Sequence, residues 1–158
     1  MFVIDVSSSM MGEKIELVRE TLVFLLDELT PSDRVCLIKF GSVASQVSGF
    51  RSMTEKAKIE MKKVIEREIK VAGCTDLRGA LNCALSALLS REEQNFATAV
   101  FFLSDGEDTC GNSTLDIQKE LERGNKKMKQ KNFSYQIHSF GFGAVSYTHL
   151  TLPTICSV

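Results

Sequence analysis

The chain has 158 residues, 44% of them hydrophobic and 25% charged, with a net charge of −1. That is room for one domain with a real core and too little for two ordinary ones. So balanced a charge offers no case for nucleic acid or an anionic membrane surface as partner, and no apolar stretch approaches the span of a bilayer.

The apolar run Phe2-Val3-Ile4 meets Asp5-Val6-Ser7-Ser8-Ser9-Met10. A buried strand is expected to end there and release Asp5, Ser7 and Ser9 into one tight loop. If that loop stays extended, the three alternating side chains point one way. They are hard oxygen donors, suited to Mg²⁺, Ca²⁺ or Mn²⁺ rather than zinc. The plain alternative is a polar turn in which Asp or Ser caps the next helix.

A helix follows from about Glu13 to Leu29, with Ile15, Val18, Leu22, Leu25, Leu26 and Leu29 at helical spacing. Leu17, Val23 and Phe24 widen its apolar face and predict deep burial. Pro31 disfavours helix at the residue before it and so ends the run. Val35 to Phe40 reads as a central strand. Val43 to Phe50, more polar and reached by a short turn, reads as an antiparallel edge strand. A second helix runs from Thr54 to about Lys70, with Ala57, Met61, Val64, Ile65 and Ile69 on its core side.

The loop 71–76 feeds a third helix carrying Leu77, Ala80, Leu81, Ala84, Leu85, Leu88 and Leu89, and either Thr75 or Asp76 is placed to cap it. Ala97 to Leu103 is a further apolar strand, ending at Ser104-Asp105-Gly106-Glu107-Asp108. A fourth helix from about Leu115 to Lys131 shows a narrower stripe of Ile117, Leu121 and Met128. Its terminal Lys126, Lys127, Lys129 and Lys131 complement the helix dipole. Phe133 to Phe142 reads as the last strand. Alternating strands and helices imply a doubly wound α/β domain: a mostly parallel sheet, helices on both faces, one antiparallel edge strand. Ligands in such sheets bind beyond the carboxyl ends of the strands, where strand order reverses. Asp5 and Asp105 both lie at such ends, and they face each other if their strands are neighbours.

Three motifs carry a resemblance. Phe2-Val3-Ile4-Asp5-Val6-Ser7-Ser8-Ser9-Met10, then Gly73-Cys74-Thr75-Asp76, then Leu103-Ser104-Asp105-Gly106 are similar to the von Willebrand factor type A domain with its metal-ion-dependent adhesion site. The resemblance implies a Rossmann-like fold over residues 1–144, shortened at both ends. It implies the metal ligands Asp5, Ser7, Ser9, Thr75 and Asp105, with Mg²⁺ or Mn²⁺ as cofactor and Ca²⁺ less suited. The implied function is a protein-binding module in which the ion recognises a partner's Glu or Asp, within a larger multidomain protein. Where the family often has glycine this chain has Ser8, which requires a negative φ there.

The rival reading is a metal-dependent hydrolase or phosphotransferase, which needs a positioned base near the metal. No His or Lys lies in the three loops, and His138, inside the last strand, reads as structural. Glu107 and Asp108 read as charge-tuning or partner-contacting acids rather than a catalytic pair. The expectation is therefore no enzymatic activity.

Cys36 and Cys83 read as small core residues. Cys74 and Cys110 fall in loops that converge near the metal and pair under oxidation only if their separation allows it. The cysteine spacing suggests no disulfide framework. The N-terminus also lacks a basic region followed by a long apolar one, so no signal peptide is expected. These two points, and the likeness of Ile137 to Gly143 to intracellular members of the family, favour the cytoplasm, with an extracellular location as runner-up. Val145 to Val158 resembles a translated sequencing adaptor, has no period that fits the fold, and is set aside as a non-native tail.

Overall fold

The computed structural model describes residues 1–93, 95–106 and 108–142. The segment set aside as a tail lies outside the described residues, as does Glu107. The elements run β1 (Phe2–Asp5), α1 (Glu13–Glu28), β2 (Arg34–Phe40), β3 (Ala44–Ser52), α2 (Glu55–Glu68), α3 (Leu77–Ser90), β4 (Ala99–Ser104), α4 (Thr114–Gln130) and β5 (Gln136–Gly141). A single 3₁₀ turn, Ser8–Met10, separates β1 from α1.

The sheet order is β3-β2-β1-β4-β5. β1 pairs in parallel with β2 and with β4, β4 pairs in parallel with β5, and β3 runs antiparallel to β2 at the edge. The expected α/β architecture with one antiparallel edge strand is the one observed. Strand order reverses between β1 and β4, where Ile4 lies opposite Leu103. Asp5 and Asp105 are therefore neighbours at the carboxyl edge, which is the condition the sequence reading set for a shared crevice.

Alternation along the strands splits the core into two layers. Val3, Cys36, Ile38, Phe40, Val100 and Phe102 pack under α3 and α4, against Leu81, Leu85, Leu88, Leu121 and Met128. Phe2, Ile4, Val35, Leu37 and Leu103 pack under α1 and α2, against Val18, Leu22, Leu26, Met61 and Ile65. Each such fully buried side chain contributes about 1.5–3 kcal/mol. α3 and α4 approach closely because position 124 is glycine: a Cβ there would meet Leu85 Cδ1 at 2.3 Å.

Two expectations change. Leu17 and Phe24 are exposed, at 51% and 64%. α1 buries only the stripe Ile15, Val18, Leu22 and Leu26, so the apolar face is narrower than its sequence suggests. Cys74 and Cys110 are joined, with Cα atoms 6.0 Å apart. Spacing along the chain carries no information on that distance; the topology supplies it by bringing both loops to one edge. Cys36 and Cys83 are free and sit in or against the core, as expected. His138 stacks on Phe101 with ring centroids 5.3 Å apart, a structural role.

Candidate functional site at the carboxyl edge of the sheet

β1 ends at Asp5, whose carboxylate is buried. Just past it, Val6 N–H donates to Phe40 O at 2.7 Å and Ala72 N–H donates to Val6 O at 2.6 Å, knitting the exit of β1 to two neighbouring segments. Ser7 then keeps extended backbone, φ −62° and ψ 165°, and the 3₁₀ turn begins at Ser8. The loop is thus a tight turn rather than an extended run. Ser7 and Ser9 still meet, with their Oγ atoms 3.0 Å apart. Asn132 is the only non-glycine residue with positive φ among those described, so Ser8 satisfies the condition its replacement of glycine imposed.

The carboxylates and hydroxyls are linked in one hydrogen-bonded chain, which passes through the Ser7 N–H. Asp5 Oδ1 accepts Ser7 N–H at 2.8 Å, and Asp5 Oδ2 accepts the Ser104 hydroxyl. Ser7 Oγ meets Ser9 Oγ, and Ser9 Oγ donates to Asp105 Oδ1 at 2.7 Å. Burial pushes the Asp5 carboxyl above its ordinary range. Hydrogen bonds from Ser104 and Ser7 pull it back, and the nearby Asp105 charge raises it further.

The Thr75 loop is tied in through its backbone. Gly73, at φ +82°, turns its carbonyl to accept both Ser8 N–H and Ser8 Oγ at 2.9 Å. Thr75 is buried; its N–H donates to Thr109 Oγ1 at 2.8 Å and its carbonyl accepts Thr109 N–H at 3.0 Å. The Cys74–Cys110 bond clamps the same two loops. Of the five expected ligands, Asp5, Ser7, Ser9 and Asp105 share one hydrogen-bonded chain; Thr75 is outside it, its main chain bonded to Thr109 and its loop tied to Ser8 through Gly73.

Two neighbours were missed. Ser104 follows from register: Ile4 lies opposite Leu103, so the next residues along the two strands are Asp5 and Ser104. Lys14 comes from outside the three loops. Its ammonium donates to Asp105 Oδ2 and to Ser9 O, the latter at 3.1 Å. One sequence signal pointed to it. A lysine in the first turn of α1 opposes the helix dipole and calls for a nearby anion.

Asp108 is neither a free base nor a surface contact. Its carboxylate accepts N–H bonds from Leu77, Cys110 and Asn112, and a further bond from the Asn112 amide. Asp76 caps α3 through Gly79 N–H at 2.8 Å.

The oxygen cluster fits a hard divalent cation on two grounds. Its donors are carboxylates and hydroxyls, and a cation, the Lys14 ammonium, already lies against Asp105 and Ser9.

Comparison with known proteins agrees with the fold. A family model described as the von Willebrand factor type A domain matches residues 1–157. The inter-alpha-trypsin inhibitor heavy chain H4 of Bos taurus is 32% identical over 94% of this chain, and that of Homo sapiens 28% identical over 94%. The chain spans 16% of the length of each. A solved von Willebrand factor type A structure from Catenulispora acidiphila superposes with a TM-score of 0.70 at 17% identity, covering 89% of this chain and 32% of that one.

These relatives overturn the cytoplasmic assignment. Inter-alpha-trypsin inhibitor heavy chains are secreted plasma proteins, which points to an extracellular location. The assignment rested partly on thiols counted as unpaired, and Cys74 and Cys110 are paired. Among the described residues no helix is long and apolar enough to cross a membrane. With the fold, the order of its three edge loops and a family match running from the first residue to 157 all in agreement, the chain belongs to the von Willebrand factor type A domain family, a type of protein-interaction and adhesion module.

Proposed function

We propose that this domain binds a protein partner through a divalent cation held at the carboxyl edge by Asp5, Ser7, Ser9, Thr75 and Asp105, with Mg²⁺ or Mn²⁺ as the ion. The observation that carries the reading is the hydrogen-bonded chain that runs from the Asp5 carboxylate through the Ser7 N–H and the Ser7 and Ser9 hydroxyls to Asp105, contributed by two separate loops. When bound, such an ion offers an electrophilic position to an acidic side chain of the partner. The protein's own residues do the rest. Asp5 is oriented by Ser7 N–H and Ser104, which hold its carboxylate at the end of β1. The Ser7 and Ser9 hydroxyls can turn to present lone pairs to a cation. The disulfide and the Thr75 main-chain bonds keep the second loop against the third. In this reading the domain performs no bond-making or bond-breaking chemistry.

Calorimetric titration and thermal unfolding of the purified chain test it together. Binding to the folded state alone raises stability by about 2.7 kcal/mol at a hundred times Kd. Asp5→Ala should abolish that increment, and Ser7→Ala should only reduce it. Capture of an acidic partner peptide should vanish with EDTA and return with Mg²⁺. A folded chain that takes up neither Mg²⁺ nor Mn²⁺ at millimolar concentration would refute the proposal.

A further inference from the structure

Lys14 sits where a cation is poorly placed. It lies in the first turn of α1, at the positive end of the helix dipole. Its ammonium is nevertheless held, by Asp105 Oδ2 and by the Ser9 carbonyl. The Asp105 side chain is 2% exposed and that of Lys14 is 40% exposed. So the carboxylate is enclosed and has the ammonium as its counter-charge, while the lysine side chain reaches in from solvent.

The same carboxylate also accepts the Ser9 hydroxyl on Oδ1. Asp105 thus has one oxygen facing a hydroxyl that can rotate and one facing a cation that can leave. Without positive charge, two carboxylates, Asp5 and Asp105, would stand together at one end of the sheet with reduced access to water, which is costly.

We propose that Lys14 is the resident cation of this site, and that a divalent ion binds by exchange, taking the place of the Lys14 ammonium on Asp105. This rests on the metal-binding reading above. It assigns Lys14 a specific role: it keeps the carboxylates compensated before metal arrives, and it lowers divalent affinity by competing for Asp105 Oδ2 and by repelling a second positive charge. The divalent occupancy of the domain is then set by an intramolecular competitor rather than by the ligand set alone.

The test is Mn²⁺ titration of the full chain and of Lys14→Met, which keeps the length of the stem and removes the charge. Thermal unfolding in EDTA is run on both. Lys14→Met should bind Mn²⁺ on the order of tenfold more tightly, a free-energy difference of about 1.4 kcal/mol, and should unfold at a lower temperature in EDTA. Lys14→Arg, which keeps the charge, should stay near the parent in both measurements and serves as the second variant should the methionine form fold poorly. If only Lys14→Met binds Mn²⁺, the exchange is supported in its strongest form. If the parent binds and Lys14→Met binds equally or less well, Lys14 is a plain surface ion pair and the exchange is wrong, while the metal reading stands. If none of the three binds, the metal reading fails and takes the exchange with it.

Discussion

Two acid-bearing clusters share the carboxyl edge of the sheet, and they are filled by different donors. Asp76 and Asp108 accept from backbone N–H groups and from the Asn112 amide, six bonds that cap α3 and shape the loop after β4. Asp5 and Asp105 accept from two serine hydroxyls, one lysine ammonium and one backbone N–H. Backbone donors are fixed by the fold, and stranding one in a buried place costs about 1–3 kcal/mol. Hydroxyls rotate and an ammonium can leave. The first cluster is therefore committed to holding the loops, whereas the second can exchange partners at low cost. The kind of donor, more than the presence of carboxylates, separates a structural acid from a ligand-ready one.

The largest expected effect comes from breaking the disulfide. Cys74 lies just before Thr75 and Asp76, and Cys110 just after Asp108, so their bond ties the two loops of the structural cluster and flanks Thr75. Closing a loop of 36 residues stabilises a domain by about 2–4 kcal/mol through the unfolded chain. The double variant Cys74→Ser, Cys110→Ser should lose about that much in urea unfolding. Should its Mg²⁺ response stay at the parent level, the clamp serves the structural cluster alone; a weakened response would show that it also sets the position of Thr75.

Next comes a direct contrast of the two carboxylate types. Asp108→Ala leaves Leu77 N–H, Cys110 N–H and Asn112 N–H without their acceptor. It should cost about 2 kcal/mol of stability and leave the increment from Mg²⁺ intact. Asp105→Ala should do the reverse, removing the increment with a smaller stability loss in EDTA. Equal behaviour of the two variants in paired melts with and without Mg²⁺ would erase the distinction.

The smallest effect comes from an acid outside both clusters. Asp33, just before β2, accepts from Thr30 N–H and from the Thr30 hydroxyl, each at 2.8 Å. These bonds, the backbone one foremost, hold its carboxyl below the ordinary value of 3.8. A depressed carboxyl contributes stability that is fully present above its unfolded pKa and is lost as pH falls through its folded one. Melting temperature should therefore fall slightly more steeply below about pH 4 in the parent than in Asp33→Asn. Superimposable acid limbs would show that hydroxyl and N–H donors on an exposed turn add nothing measurable.

The helices and strands were legible because their signals are local. Ile15, Val18, Leu22 and Leu26 recur at helical spacing, and the Asp-x-Ser-x-Ser run follows an apolar strand. The exposure of Leu17 and Phe24 was not legible, since their spacing also suits a broad apolar face. How wide a face is buried depends on what α1 packs against, which is a property of the sheet and α2.

The candidate site divides in the same way. The sequence by itself determined the donor types at Asp5, Ser7, Ser9, Thr75 and Asp105, their order along three loops, and the parallel α/β frame that sends strand ends to one edge. Only the tertiary structure decided that β1 and β4 are neighbours, that Ser104 and Lys14 complete the carboxylates' surroundings, that Asp108 is spent on backbone donors, and that Cys74 reaches Cys110. The physical reason is range. Periodicity and turn chemistry act between residues a few positions apart, whereas the strand pairing, the Ser104 and Lys14 contacts, the Asp108–Leu77 bond and the disulfide join segments at least 31 residues apart and exist only once the crossovers have set which strands lie side by side.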